Sequence, residues 1–157
     1  AQDFEQLARS WYVFFFQAQG LSELVVEQDD WSFLERLWRA WSPGWDPPAD
    51  QMAVLRNAFA RPGVKEATLA YYRTGFQPNH PRASDTQRLL ATVVAARTLG
   101  LTGESDGCVS PGVFSRSMGS QLFRRPPLVE TVAAAGHFLH LERPQAVNDR
   151  IVSWLVE

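Results

Sequence analysis

Apolar residues recur every three or four positions through the first half of the chain, which is the spacing of one face of an α-helix. A first run of this kind starts at Phe4 and is expected to stop at Gly20. A clearer run follows. We expect Asp30 to cap its N-terminus, Trp31 to Trp41 to form one stripe, and Pro43 to end it.

Two shorter helices are predicted next. The turn Asp46-Pro47-Pro48 opens the first, and Pro62-Gly63 closes it. The second runs from about Val64 to Arg73, with Gly75 placed to terminate it. A set of short helices that is rich in large aromatic residues suits a lid over another layer better than a self-sufficient bundle.

The pattern changes after a polar stretch, Gln77 to Asp85, whose prolines and small polar residues predict a loop. Beyond it, Thr98 to Gly103 is predicted to be a buried strand, and Leu128 to Val132 is predicted to be a second strand. The segment between them is expected to be helical, and a final helix is predicted to start at Pro144. The helical segment between the strands carries an apolar stripe of Phe114, Met118 and Leu122. The final helix carries one of Val147, Ile151, Trp154 and Leu155.

This order of strand, helix, strand and helix is typical of a parallel sheet with crossover helices. A parallel sheet needs neighbouring strands and covered faces, so two strands are too few. We therefore expect an α/β protein in partial form, with residues 1–86 as a helical lid and residues 87–157 as the last part of a sheet domain. The chain begins at Ala1 without a methionine, which adds to the expectation that it is a piece of a longer protein.

Composition narrows the function classes. The chain is 45% hydrophobic, which is enough to build a core, and its 15 Lys and Arg residues nearly balance 17 Asp and Glu residues. Without a basic stripe, nucleic acid is not an expected partner. The densest early apolar run, Trp11 to Phe16, is far too short to span a bilayer. Because Cys108 is the only cysteine, no internal disulfide can form, and we expect a cytoplasmic protein.

Each predicted strand is followed by a turn that carries a group suited to catalysis. Asp106 follows the first strand and His137 follows the second. Because functional groups gather beyond the carboxyl ends of parallel strands, the carboxylate can orient the imidazole, which then serves as a general base. Taken separately, each residue also has a structural interpretation: Asp is common in turns, and a histidine after glycine can be a capping or core residue.

Two other residues have simpler interpretations. His140 is taken as structural: the His137-x-x-His140 spacing suits a metal, but no further ligands cluster with it, so we predict no metal site. Cys108 is taken as a small packing residue. No cofactor is implied.

The run G-E-S-D-G-C-V-S-P at Gly103–Pro111, followed by A-G-H-F-L-H-L-E-R-P-x-x-V-N at Ala135–Asn148, resembles the end of an α/β-hydrolase of the epoxide hydrolase and haloalkane dehalogenase type. The resemblance makes Asp106 the acid and His137 the base of a catalytic triad. The segment S-W-Y-V-F-F-F-Q, from Ser10 to Gln17, resembles the start of the helical cap of that family, and L-A-Y-Y-R at Leu69–Arg73 resembles a later cap helix.

Two features depart from that family. Its nucleophile sits on a tight G-x-[S/D]-x-G turn between an earlier strand and helix. The segment Gly107–Pro111 does not fit such a turn, so we expect the nucleophile to lie outside this chain. Related epoxide hydrolases use two cap tyrosines to polarise the epoxide oxygen. Tyr72 fits one of them, whereas the other position is assigned to Phe15, with Tyr12 nearby, and Trp11 is expected to line the substrate site as well.

These observations predict a hydrolase that acts on a small apolar epoxide, ester or halide, with the isolated chain inactive and prone to self-association. An alternative from another class stays open, namely a non-catalytic protein derived from a hydrolase that binds a partner through its aromatic surface. A coding sequence that continues upstream favours the enzyme, and a start codon immediately before Ala1 favours the binding protein.

Overall fold

The computed structural model describes residues 4–77 and 79–157, and it divides into a helical first half and a second half that contains a small sheet. Within these residues, no helix is both long and apolar enough to cross a membrane. The helices are α1 (Phe4–Arg9), α2 (Trp11–Phe15), α3 (Leu21–Trp41), α4 (Ala49–Phe59), α5 (Val64–Thr74), α6 (Ala83–Leu90), α7 (Pro111–Ser117), α8 (Leu139–Glu142) and α9 (Pro144–Val156); the strands are β1 (Leu99–Gly103) and β2 (Leu128–Val132).

The helical half follows the predicted pattern with two corrections. α4 and α5 match their predictions closely, but the first predicted helix is divided into α1 and α2. α3 begins at Leu21 and consists of two helical segments, the second of which starts just after Asp30, close to the predicted start; the predicted cap at Asp30 is wrong. The backbone is non-helical from Gln28 to Trp31, with φ values of 51° and 53° at Asp29 and Asp30. Asp30 thus lies in the left-handed region instead of the extended conformation of a capping residue, and it marks a break between two helical segments.

The two predicted strands are confirmed, and they pair in parallel with Leu99 opposite Leu128. α7 is shorter than the helical segment predicted between them, since it ends at Ser117 and a 3-10 turn at Ser120–Leu122 follows. α9 begins at Pro144 as predicted. The predicted loop from Gln77 to Asp85 extends too far, because α6 starts at Ala83; Pro78 lies outside the described residues.

The main hydrophobic core lies inside the helical half. Its buried members are Tyr12, Phe16, Val26, Leu34, Leu37, Leu69 and Cys108. Cys108 belongs to the loop after β1, so this core is seated on the carboxyl end of the sheet. By contrast, apolar side chains elsewhere in the second half face solvent: Leu90 on α6 is 74% exposed and Leu155 on α9 is 66% exposed.

A half-buried ion pair fixes α5 against the first helices. The Arg73 guanidinium donates to Glu23 Oε1 at 2.6 Å, to the carbonyl oxygen of Phe16 at 2.7 Å, and to Ser22 Oγ at 2.8 Å. The hydrogen bond from Arg73 lowers the pKa of Glu23 to about 2, outweighing the opposing effect of burial. Because Arg73 follows Tyr72 directly, this arrangement also fixes where the tyrosine sits.

Candidate active site

The side chains of Asp106 and His137 meet where the two strands end. β1 ends at Gly103 and β2 at Val132, and the loops that follow lie side by side because the strands are parallel neighbours. His137 Nδ1 lies 3.0 Å from Asp106 Oδ2. The other carboxylate oxygen, Oδ1, accepts the backbone amides of Cys108 at 2.7 Å and Val109 at 2.9 Å. Asp106 is only 5% exposed, and these two amides of its own loop hold its carboxylate in place.

This environment favours the protonated imidazole. Burial lowers the pKa of His137, but the hydrogen bond that the imidazolium donates to Asp106 and the proximity of Cys108 outweigh it, so the pKa rises from 6.5 to about 10. The rings of Trp41 and Phe138 contact the imidazole edge to face, with centroids 5.3 Å away in each case. The pair is therefore built to stabilise a charged imidazolium in a largely aromatic setting.

The C-terminal end of α3 holds both loops together. The carbonyl oxygen of Trp41 accepts the amide of Gly107 at 2.8 Å and the amide of His137 at 3.2 Å. The last carbonyls of a helix lack partners within the helix, and here loop amides supply them. The approach is so close that a Cβ at Gly107 would lie 2.1 Å from the carbonyl oxygen of Ala40. Only glycine fits at this contact between the helical half and the loop of Asp106.

Tyr12 and Tyr72 lie against the same loop. The Tyr12 hydroxyl is 3.3 Å from Cys108 Sγ, and the rings of the two tyrosines meet edge to face with centroids 5.8 Å apart. Burial raises the pKa of both hydroxyls, so each remains a neutral hydrogen-bond donor. Gln17 helps to hold Tyr72, since its amide donates to the Tyr72 carbonyl at 3.3 Å. The two phenol rings therefore pack together, with the hydroxyl of Tyr12 against the loop that carries Asp106.

An apolar cavity of about 170 Å³ adjoins these residues inside the helical half. Trp41 and Tyr72 form part of its wall, next to Phe16. The indole Nε1 of Trp41 is buried and has no hydrogen-bond partner among the described residues. A buried unpaired donor costs about 1–3 kcal/mol. The remaining lining residues are Val26, Leu34, Leu37, Trp38, Leu55, Phe59, Thr68 and Leu69.

The structure separates the predicted site residues into two groups. Asp106 and His137 are hydrogen-bonded to each other, and Tyr72 contacts Tyr12, whose hydroxyl meets Cys108 in the loop of Asp106. Phe15 instead packs on Phe33 with ring centroids 5.6 Å apart, and Trp11, which is 47% exposed, also contacts Phe33.

Sequence reasoning gave too little weight to two residues of this site. Tyr12 occupies the place next to Tyr72 that Phe15 was expected to fill, and its position three residues before Phe15, on the same helical face, was the available signal. The contacts of Trp41 with the loops of Asp106 and His137 had no sequence signal.

The letters G-x-S-x-G do occur in the chain, at Gly103-Glu104-Ser105-Asp106-Gly107, and the sequence interpretation overlooked them. The geometry does not fit a nucleophile turn, in which a strained serine lies between a strand and an immediately following helix. Ser105 is exposed, and α7 begins only at Pro111. Left-handed backbone occurs among the described non-glycine residues at Asp29, Asp30, Trp31 and Ala134, and not at Ser105.

Close packing explains the two glycines of this sequence instead. A Cβ at Gly103 would lie 2.0 Å from the carbonyl oxygen of Gly136, where the two loops touch. Gly107 is needed for its contact with Ala40, as described above. Both glycines therefore allow the Asp106 loop to pack closely against its neighbours. The segment matches the nucleophile motif in sequence but not in structure.

Comparison with known proteins finds two epoxide hydrolases similar to the chain in sequence, although no family model matches it. Epoxide hydrolase 2 of Caenorhabditis elegans is 28% identical over 152 residues, which cover 92% of this chain and 39% of that protein. Epoxide hydrolase 1 of the same organism is 23% identical over 155 residues, or 96% of this chain and 36% of that protein. The chain thus spans less than two fifths of the length of these curated relatives.

Solved structures match the fold over nearly the whole chain. Cfl2 from Burkholderia cenocepacia superimposes with a TM-score of 0.77 at 18% identity, covering 98% of this chain and 50% of the Cfl2 chain. A haloalkane dehalogenase loop variant from Bradyrhizobium elkanii gives a TM-score of 0.67 at 21% identity, with 95% and 49% covered. The chain therefore has a partial α/β-hydrolase fold. Within that class, its sequence relatives are epoxide hydrolases.

Proposed function

We propose that this chain supplies the acid and the base of the catalytic triad of an epoxide-hydrolase-like enzyme, with Asp106 as the acid and His137 as the base. The observation that carries the proposal is the hydrogen bond of 3.0 Å between His137 Nδ1 and Asp106 Oδ2. It leaves the other ring nitrogen, Nε2, to exchange a proton with a nucleophile or with water. The loop amides that fix the carboxylate support the role of Asp106 as an orienting acid.

The chemistry assigned to His137 is activation of the water that hydrolyses a covalent intermediate, or of the nucleophile itself. In the first case the nucleophile is a carboxylate. Its negative charge disappears when it becomes an ester, so one source of stabilisation for the imidazolium is removed at that point. The pKa of His137 then falls, which favours proton abstraction from water at the step that needs a base.

The substrate that suits this site best is a small apolar epoxide, with an ester or halide as the alternatives. Tyr12 and Tyr72 are neutral donors that contact each other, with Tyr12 against the loop of Asp106, and an opening epoxide ring needs donors at its oxygen. We assign Tyr12, in place of Phe15, as the partner of Tyr72. The apolar cavity beside Tyr72 and Trp41 suits a hydrocarbon substituent of the same substrate.

The nucleophile and the rest of the sheet are assigned to a further segment of the same fold, for which residues 1–86 serve as the cap and residues 87–157 as the end of the core domain. Three observations support this. The matched proteins are at least twice as long as the matched region. The described strands number two. Large apolar side chains of α6 and α9, such as Leu90 and Leu155, lie in solvent where a complete sheet domain would cover them.

The test joins this chain to an N-terminal α/β-hydrolase half that carries a G-x-[S/D]-x-G turn, and measures hydrolysis of styrene-type epoxides and activated esters. We expect the joined protein to be active and His137→Ala to abolish turnover. His140→Ala is the matched control, because His140 is exposed and lies three residues further on.

Two results would contradict the proposal. One is a joined protein whose turnover survives His137→Ala. The other is turnover by the isolated 157-residue chain that disappears in Asp106→Ala, because the chain would then contain its own nucleophile. An inactive joined protein that binds a protein partner through its aromatic surface would favour the non-catalytic alternative.

A further inference from the structure

Both oxygens of the Glu142 carboxylate accept backbone amides that flank His137. Glu142 Oε2 accepts the amide of Gly136 at 2.7 Å, and Oε1 accepts the amide of Phe138 at 3.1 Å. The amide of His137 itself donates to the carbonyl oxygen of Trp41. Three consecutive amides are thus fixed, and together they set the direction in which the His137 side chain leaves the backbone.

Ser42 ties this arrangement to the helical half. It follows the last residue of α3 and is fully buried, and its hydroxyl donates to Glu142 Oε1 at 2.7 Å. The Phe138 amide also lies within 3.3 Å of Ser42 Oγ. The two backbones are tightly packed here, since a Cβ at Gly136 would lie 2.5 Å from Ser42 Cα. The end of α3 and the His137 loop can therefore adopt this geometry only together.

We propose that Glu142 is a positioning residue for His137, which keeps the imidazole directed at Asp106 as long as Ser42 at the end of α3 is seated against it. Glu142 acts through the backbone amides, because the described hydrogen bond of the imidazole goes to Asp106. The consequence is a mechanical link: movement of the helical half away from the sheet loosens the His137–Asp106 pair. This inference concerns the geometry of the pair and does not depend on the substrate proposed above.

The test is an NMR titration of the His137 imidazole in the full chain, comparing Glu142→Gln with the unchanged protein. Glutamine keeps the size of the side chain but replaces one acceptor oxygen with an amino group that repels a backbone amide. We expect proton binding by His137 to weaken roughly tenfold, which is one pH unit. The proton on Nδ1 should also exchange faster with water.

Glu104→Gln is the matched control. Glu104 Oε2 accepts the amide of Ala134 at 2.9 Å, so this carboxylate also fixes an amide of the loop after β2, but not one that flanks His137. We expect Glu104→Gln to leave the titration of His137 unchanged. An equal change in both variants would mean that any loosening of this loop has the same effect, and it would overturn the special role of Glu142.

Ser42→Ala separates positioning from the loss of a negative charge. It removes the hydroxyl that donates to Glu142 without changing any charge, and we expect a smaller weakening of proton binding in the same direction. If Glu142→Gln fails to fold, Ser42→Ala decides the matter alone. An unchanged His137 titration in folded Ser42→Ala, whatever Glu142→Gln does, would overturn the proposal, because the effect of Glu142 would then be direct electrostatics or general stability.

Discussion

The aromatic ring of Tyr72 meets the ring of Tyr12 edge to face, at a centroid separation of 5.8 Å, although sixty residues separate them in the sequence. The Tyr12 hydroxyl reaches Cys108, two residues beyond Asp106. α5 thus contributes one phenol and α2 the other. Arg73 on α5 donates to the carbonyl oxygen of Phe16 at the end of α2 and pairs with Glu23 on α3. This juxtaposition underlies the first prediction.

Tyr72→Phe and Tyr12→Phe should each depress epoxide turnover in the joined protein much more than ester turnover. The reason is that only the strained ether oxygen needs these donors as it gains negative charge, and losing one such donor costs roughly a hundredfold in rate. Tyr71→Phe is the control, since Tyr71 is adjacent and 77% exposed. Comparison of kcat/KM for matched epoxide and ester substrates checks this, and equal losses on both would remove the special role of the two tyrosines.

The His137–Asp106 pair should make stability fall at alkaline pH. The pKa of His137 in the folded chain is raised to about 10 from an ordinary value of 6.5. A raised pKa contributes stability that is complete below pH 6.5 and is lost as the pH rises through about 10. Urea unfolding between pH 6 and 10 measures this loss. Asp106→Asn should flatten the dependence, and a variant that keeps the full dependence would mean that the carboxylate does not hold the imidazolium.

Acid should weaken the contact between α5 and the first helices. The pKa of Glu23 is lowered to about 2 by the hydrogen bond from Arg73, against an ordinary value of 4.5. A lowered pKa contributes stability that is present above 4.5 and disappears as the pH falls towards 2. In Glu23→Gln the contribution should be absent at every pH, so its unfolding midpoint should approach that of the unchanged chain near pH 2. Asp85→Asn serves as the control, because its ion pair with Arg88 is exposed and should change little.

The isolated chain should bind hydrophobic dyes and self-associate. Large apolar side chains lie exposed on α6 and α9, with Leu89 at 69%, Leu90 at 74% and Leu155 at 66%. Exposed apolar surface that gathers in patches promotes association. Dye fluorescence and size-exclusion chromatography test this, and joining the chain to the N-terminal half proposed above should reduce both effects. A monomeric isolated chain that binds no dye would mean that these side chains form no continuous patch.

The sequence alone determined the local elements and the two residues of the pair. β1 and β2 are short apolar runs bounded by turn residues, and α9 begins at a proline, so local chemistry was sufficient for them. The positions of Asp106 and His137 immediately after consecutive strands made their proximity predictable, because parallel neighbours end at the same edge. Helix boundaries in the first half were less predictable. The left-handed residues at Asp29 and Asp30 interrupt α3 without any glycine or proline to signal it.

Only the tertiary structure decided which aromatic residues reach the site and what holds the loops. Tyr12 and Phe15 lie on one helical turn, and their apolar neighbours look alike in sequence, but packing directs one towards Cys108 and the other towards Phe33. Packing also decides the role of Gly103 and Gly107. Their spacing matches a nucleophile motif in sequence, but in the structure they allow close backbone contact. Such contacts join residues far apart in the chain, and their energy depends on shape and distance in the folded state. Local sequence patterns therefore do not predict that geometry.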